Sequence, residues 1–206
     1  MRVFILCTGR SGSLAIIKAC NHITNYTSGH ESLAKEFGPS RLSYPDNHIE
    51  ADNRLTWFLA RMEKKFGDDP IYIHLKRNKE DTINSLNRRW HSRSNITRAY
   101  AEGILKTPRE KLNNEQRLKI CEDYYNTVND RIEVFLKNKT KKMIINIENI
   151  SEDFIQFWKF IEAKGDHKKA LKEFTQSHNK SKKRPGKSTP YELKLFLLRI
   201  WRKFSK

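Results

Sequence analysis

The sequence predicts an α/β protein, three layers deep, with helices on both faces of a mainly parallel sheet. Two observations carry this. Short apolar runs of strand length, "VFILC", "IYIHL" and "MIINI", are separated by long stretches with helical periodicity. A glycine-bearing turn, "TGRSGS", stands directly between the first run and the first helical stretch. In open sheets of this kind ligands sit beyond the carboxyl ends of the strands.

The elements follow in order. "RVFILC" reads as a buried strand, and Leu14, Ile17 and Cys20 give the next segment a helical stripe. "NYTSGH" is a second short strand. "EFGPSRLSYPDN" reads as a loop, punctuated by Gly and two Pro. Asn47 with Glu50 matches a capping box, predicting a helix with Leu55, Leu59, Met62 and Phe66 inward. "PIYIHL" is the clearest strand, and Asn78 is placed to cap the helix after it. The stretch 110–137 reads as one helix, with Cys121, Tyr124, Val128, Ile132 and Phe135 on one face. "KMIINIE" is a further strand, and Phe154, Phe157, Trp158 and Ile161 mark another helix. Residues 176–189 hold "KSKKRPGK", an exposed basic loop. Thr189-Pro190-Tyr191-Glu192 then starts an amphipathic helix over 190–204. No internal repeat is present, and 206 residues are read as one domain over 1–206.

Charge narrows the partners. With 41 Lys and Arg against 24 Asp and Glu, the formal net charge is +17. Such an excess favours polyanions: a nucleic acid, an anionic surface or a small, multiply charged ligand. Residues 165–206 alone carry 13 basic and 3 acidic residues. The cysteines, Cys7, Cys20 and Cys121, are odd in number and lack C-x-x-C spacing, which argues against a disulfide framework or a zinc site. The leading apolar run is too short for a signal peptide and no run reaches membrane length. The expectation is a cytoplasmic protein.

The turn "TGRSGS" has the parts of an anion site. Backbone N–H groups at a helix start face the ligand, and the helix dipole favours negative charge. Gly9 and Gly12 permit a tight turn, Ser11 and Ser13 carry hydroxyls, and Arg10 can fork onto two oxygens. It is not the kinase loop G-x-x-x-x-G-K-[ST], since no Lys precedes its Ser. The strand "IYIHL" ends in Lys76-Arg77, the wrong sign for a Mg²⁺ ligand, and Glu148 stands alone at the end of "IINIE". A second anchor lies in "KRNKEDTINSL", with Arg77 at a strand end and Ser85 eight residues later. Two anchors suit a ligand charged at two separated points.

With "RSGS" at Arg10 to Ser13, Arg77 with Ser85, and "GHES" around Glu31, the chain resembles the sulfotransferases that use 3′-phosphoadenosine 5′-phosphosulfate (PAPS). The likeness is to the branch with Arg in the first loop, which includes tyrosylprotein and some bacterial sulfotransferases. It covers the first ~90 residues with specific motifs, and the rest only through a late strand ending in Glu, an aromatic-rich helix and a basic C-terminal loop. The resemblance implies a P-loop-kinase-like, sulfotransferase-type fold. It implies that Gly9, Arg10, Ser11, Gly12, Ser13 and Leu14 surround the 5′-phosphosulfate, that Arg77 and Ser85 hold the 3′-phosphate, and that the basic loop with Arg184, Gly186 and Lys187 folds over that phosphate. Glu31 is then the first choice for the catalytic base, His30 the second, and Arg10 stabilises the leaving phosphate. PAPS is the implied donor, with 3′-phosphoadenosine 5′-phosphate (PAP) released and no metal required. This chain departs from the commoner pattern: Ser13 and Leu14 replace a Thr pair, and Asn78-Lys79 follow Arg77 in place of Asp-Pro.

Three other readings compete. A basic nucleic-acid binder fits the charge and the mixed "NRRWHSRSNITR" stretch, but no recognised nucleic-acid motif is present. A P-loop kinase or NTPase fits the loop but lacks its Lys and metal acids. Peripheral membrane contact through the C-terminal amphipathic helix is compatible with an enzyme. The acceptor (sugar, phenol or peptide) and the oligomeric state are not written in the sequence. "EFGPSRLSYPDNHIE" and "NRRWHSRSNITRAY" are the stretches expected to line the acceptor side.

Overall fold

In a computed structural model, which describes residues 1–92, 95–107 and 112–175, five strands form one all-parallel sheet in the order β2-β3-β1-β4-β5. The strands are β1 (Arg2–Cys7), β2 (Thr27–His30), β3 (His48–Ala51), β4 (Ile71–Lys76) and β5 (Lys142–Asn146). Helices α1 (Ser13–Cys20), α6 (Ile150–Phe160) and α7 (His167–Lys172) cover one face. Helices α2 (Leu59–Phe66), α3 (Lys79–Arg88), α4 (Ile96–Gly103) and α5 (Asn114–Leu136) cover the other.

Strand alternation divides the core accordingly. Val3, Ile5 and Cys7 of β1 face Ile16, Phe154 and Phe157, whereas Phe4 and Leu6 face Met62, Tyr72 and Tyr124. A central parallel strand must be apolar on both sides, which is why "VFILC" shows no alternation. At the middle of the second layer, α5 is set by a capping box in which Asn113 accepts from Gln116 N–H and the Gln116 side chain accepts from Asn113 N–H.

Four expectations are revised. The Asn47–Glu50 pattern does not open a helix: residues 48–51 are β3, wholly buried between β1 and β2. Asn47 instead accepts from the chain's N-terminal ammonium, and Glu50 is turned inward. Burial on both faces overrides the local capping signal. Leu55 belongs to a 3-10 turn over Asn53–Trp57, and the helix begins only at Leu59. Helix α5 starts at Asn114 and not at 110. The segment "GPSRL", expected as plain loop, forms a 3-10 turn. The expected loop 176–189 and helix 190–204 lie outside the described residues.

His74, on β4, is 1% exposed and its Nε2–H donates to Asn129 Oδ1 at 2.9 Å. The Asn129 amide is oriented by its own donation to Tyr125 O, so the ring must be the donor. Burial pushes the imidazole pKa down from 6.5 to about 4. Because this lies below the unfolded value, the unfolded chain takes up the proton first. The stability is whole above pH 6.5 and is lost as pH falls through 4. The loss should approach about 3 kcal/mol. Urea midpoints measured from pH 7 to pH 4 should fall less steeply for His74→Gln, which keeps a donor without titrating there.

Candidate functional site

Four loops leave the carboxyl ends of β1, β2, β3 and β4 and converge on one cleft of about 310 Å³. Gly9, Arg10, Gly12 and Ser13 come from the first, His30 and Glu31 from the second, Asn53 and Arg54 from the third, and Arg77 from the fourth. Arg89, Ser92, Asn95 and Ile96, after α3, complete the wall. The chain leaves β1 toward α1 on one face and later crosses over to β4, so this crevice is the topological switch point.

The first turn is held from several sides. Gly12 caps α1 in the left-handed region at φ 98°, and a Cβ there would stand 2.6 Å from Ile147 Cδ1. Only glycine fits on both counts. Arg10, also left-handed at φ 72°, is fixed at both ends: its carbonyl accepts from Arg77 Nη1 at 3.0 Å, and its Nε donates to Ser85 Oγ at 3.1 Å. Gly9 N–H donates to the hydroxyl of Tyr124, which is fully buried on α5. The hydroxyls differ. Ser11 is buried and donates to Thr8 O, whereas Ser13 lines the cleft and meets His30 Nε2 at 3.0 Å.

The site is cationic and short of anions. Burial, then the nearby charges of Arg89, Arg77 and Arg88, lower the Arg10 pKa to about 10. Four guanidinium groups held this close repel one another, and a multiply charged anion is what relieves that repulsion. Burial pushes the Cys7 thiol, just beneath the turn, up to about 12, so it stays protonated and is not a nucleophile.

Glu31 stands at φ 54° with its backbone N–H on Ala51 O. One carboxylate oxygen accepts from Asn53 Nδ2 at 2.7 Å and the other pairs with Arg54 at 2.7 Å. The turn that supplies both partners starts at Asp52, which is buried, accepts from Arg54 N–H and pairs with buried Arg41. Below Glu31, the Ser32 N–H and hydroxyl both donate to Glu50, a fully buried carboxylate that also takes His48 Nε2. Gly29 lies so close to Glu50 that a Cβ would come within 2.8 Å of it.

The structure thus brings Gly9, Arg10, Gly12, Ser13, Leu14, His30, Glu31 and Arg77 to one cleft, with Ser85 behind Arg10. Ser11 lies beneath the turn. Arg184, Gly186 and Lys187 lie outside the described residues. Glu148 accepts from Asn78 N–H at the start of α3. Among the described residues, "NRRWHSRSNITRAY" supplies Arg89, Ser92, Asn95 and Ile96 to the wall, while residues 36–50 supply none. Asn53 and Arg54 are not marked by any motif in the sequence, and Tyr124 reads there only as a core residue of its helix. The first two follow β3 and became visible only once β3 was recognised as a strand. Nothing local marks the contact of Tyr124 with Gly9.

The protein is thus an α/β protein with an all-parallel, P-loop-like sheet that carries a cationic, glycine-turned cleft at its switch point. The fold is similar to the crystal structure of mouse sulfotransferase SULT7A1 complexed with PAP, with a TM-score of 0.54 and 14% identity. The match covers 84% of this chain and spans 62% of that one. The architecture is therefore sulfotransferase-like. No family model matches the sequence, and no curated protein matches it.

Gly12→Ala should lower stability by about 1–3 kcal/mol, from the left-handed backbone and the crowding against Ile147. Adding Ile147→Ala removes the crowding alone, so chemical denaturation should find that it does not restore the turn.

Proposed function

We propose that this protein is a sulfotransferase that moves a sulfuryl group from PAPS to a hydroxyl or amine acceptor and releases PAP. The observation that carries the reading is the convergence of Arg10, Arg77 and the Gly9–Ser13 turn on one cleft, within a fold similar to that of a sulfotransferase solved with PAP. The donor set fits the nucleotide: guanidinium groups and helix-start N–H groups suit its phosphates, and Arg77, which lines the cleft, is the candidate for the second anchor, with Ser85 acting through Arg10.

The chemistry follows from these residues. The bond between sulfur and the 5′-phosphate oxygen breaks while a bond from sulfur to the acceptor oxygen forms. PAP leaves with the electron pair. Arg10, the Ser13 hydroxyl and the N–H groups at the start of α1 stabilise the charge that grows on the leaving phosphate. Arg10 remains protonated near neutral pH, with its pKa at about 10, and acts by charge and hydrogen bonds. Glu31 takes the acceptor's proton. Asn53 and Arg54 each hold one of its oxygens, which fixes the carboxylate against the cleft. A base so clamped is oriented before the acceptor arrives. The acceptor is a sugar, phenol or peptide, and no metal takes part, so transfer should persist in EDTA.

Calorimetry should find PAP bound at least tenfold more tightly than AMP, because one or two charge-assisted hydrogen bonds to the 3′-phosphate contribute roughly 1.5–3 kcal/mol each. Arg77→Ala should erase most of that difference. Equal affinities in the parent protein would sink the two-anchor reading.

Glu31→Gln should leave PAP affinity intact while lowering transfer from labelled PAPS to an acceptor panel by roughly a hundredfold or more. Normal turnover in this variant would remove Glu31 from the mechanism.

A further inference from the structure

Ser11 and Ser13 sit two residues apart in the same turn, yet their hydroxyls are placed differently. Ser11 Oγ–H donates to Thr8 O at 3.0 Å and is buried. Its single proton is therefore committed to the scaffold. Ser13 opens on the cleft; its hydroxyl meets His30 Nε2 at 3.0 Å and also has the Cys7 thiol within hydrogen-bond reach beneath it. The direction of this one hydrogen bond decides what the cleft presents. If Ser13 donates to the ring, its proton is withdrawn and the cleft is shown lone pairs. If the ring donates to Ser13, the proton is released toward the cleft.

The surroundings select the second direction for an anionic ligand. Arg10, Arg54, Arg77 and Arg89 line the same space and are donors only. Lone pairs of Ser13 turned toward a phosphate would oppose the charge complementarity that the arginines create, whereas a hydroxyl proton would extend it. Cys7, the other group in reach of Ser13, keeps its thiol proton because burial raises its pKa to about 12; a neutral thiol is a weak partner, so the His30 ring is the stronger influence on the Ser13 proton.

We propose that His30 is a positioning residue: its Nε2–H donates to Ser13 Oγ and thereby aims the Ser13 proton at the 5′ phosphate end of the bound nucleotide. This rests on the nucleotide reading above and moves His30 from the role of reserve base to that of a partner of the donor-binding turn. Ring and hydroxyl act as one unit. The ring contributes to affinity only while Ser13 is present, and any side chain that donates from the same place can replace it. Sequence spacing does not reveal this, since His30 neighbours Glu31 in the chain and looks like part of the acceptor machinery.

The test is a double-mutant cycle read by calorimetry with PAP and with AMP, on variants whose thermal unfolding is cooperative. Ser13→Ala should weaken both nucleotides about tenfold, because both carry the 5′-phosphate. His30→Leu should weaken both by a similar factor, yet add nothing to Ser13→Ala. His30→Gln, whose amide can donate, should recover most of the affinity. In the PAP complex, nitrogen-15 NMR should find a proton on Nε2 of His30. A His30→Leu effect that is absent, that persists fully in Ser13→Ala, or that appears with PAP and not AMP would overturn the assignment. So would an Nε2 without a proton. A parent protein that binds PAP but fails these tests leaves the sulfotransferase reading standing. A parent that binds neither nucleotide overturns both.

Discussion

Because β1 lies at the centre of an all-parallel sheet, with β3 on one side and β4 on the other, the loops leaving all three strands must end on the same side and within reach of one another. The rest of the molecule depends on that constraint. It sets the Gly9–Ser13 turn between Asn53-Arg54 and Arg77, and it lets one residue, Arg10, be gripped by the loop before α3 through Arg77 and by α3 itself through Ser85. An antiparallel strand at the same place would send its loop to the opposite end of the sheet.

The same convergence carries an electrostatic penalty, since it crowds Arg10 among Arg77, Arg88 and Arg89. The scaffold tolerates this by fixing backbone and side chains with neutral partners, Tyr124 on Gly9 and Ser85 on Arg10, and by placing the buried carboxylates elsewhere. Asp52 answers Arg41, and Glu50 answers His48 and Ser32. Among the described residues the cleft keeps one lining carboxylate, Glu31, which is held by Arg54. Positive potential is thus left where an anion would enter, while the interior is balanced pair by pair.

Most of this architecture was legible in the sequence wherever a single local rule governs. The apolar runs of β1 and β4, the glycine turn and the Asn78 cap, which accepts from Asp81 N–H, are signals contained within a few residues. β3 was not legible, because "NHIE" also satisfies a helix-capping pattern and only pairing with β1 and β2 decides between the two. That one misreading concealed the third loop and with it Asn53 and Arg54. Arg10, Arg77 and Ser85 could be named from spacing, but not the contacts that join Arg10 to the other two. Tyr124 touches Gly9 across 115 positions of chain, a relation that no periodicity encodes.

The left-handed backbone at Arg10 and Glu31 has a bearing on how this chain can change. Both residues adopt a conformation that glycine or asparagine adopts more readily, so each resists its own position by on the order of 1 kcal/mol. Glycine or asparagine at either position would relieve that strain at the cost of the charged side chain. Asn47, Lys106 and Glu162 share that backbone region without lining the cleft, so what sets Arg10 and Glu31 apart is that each couples the strain to a charged side chain aimed at the site.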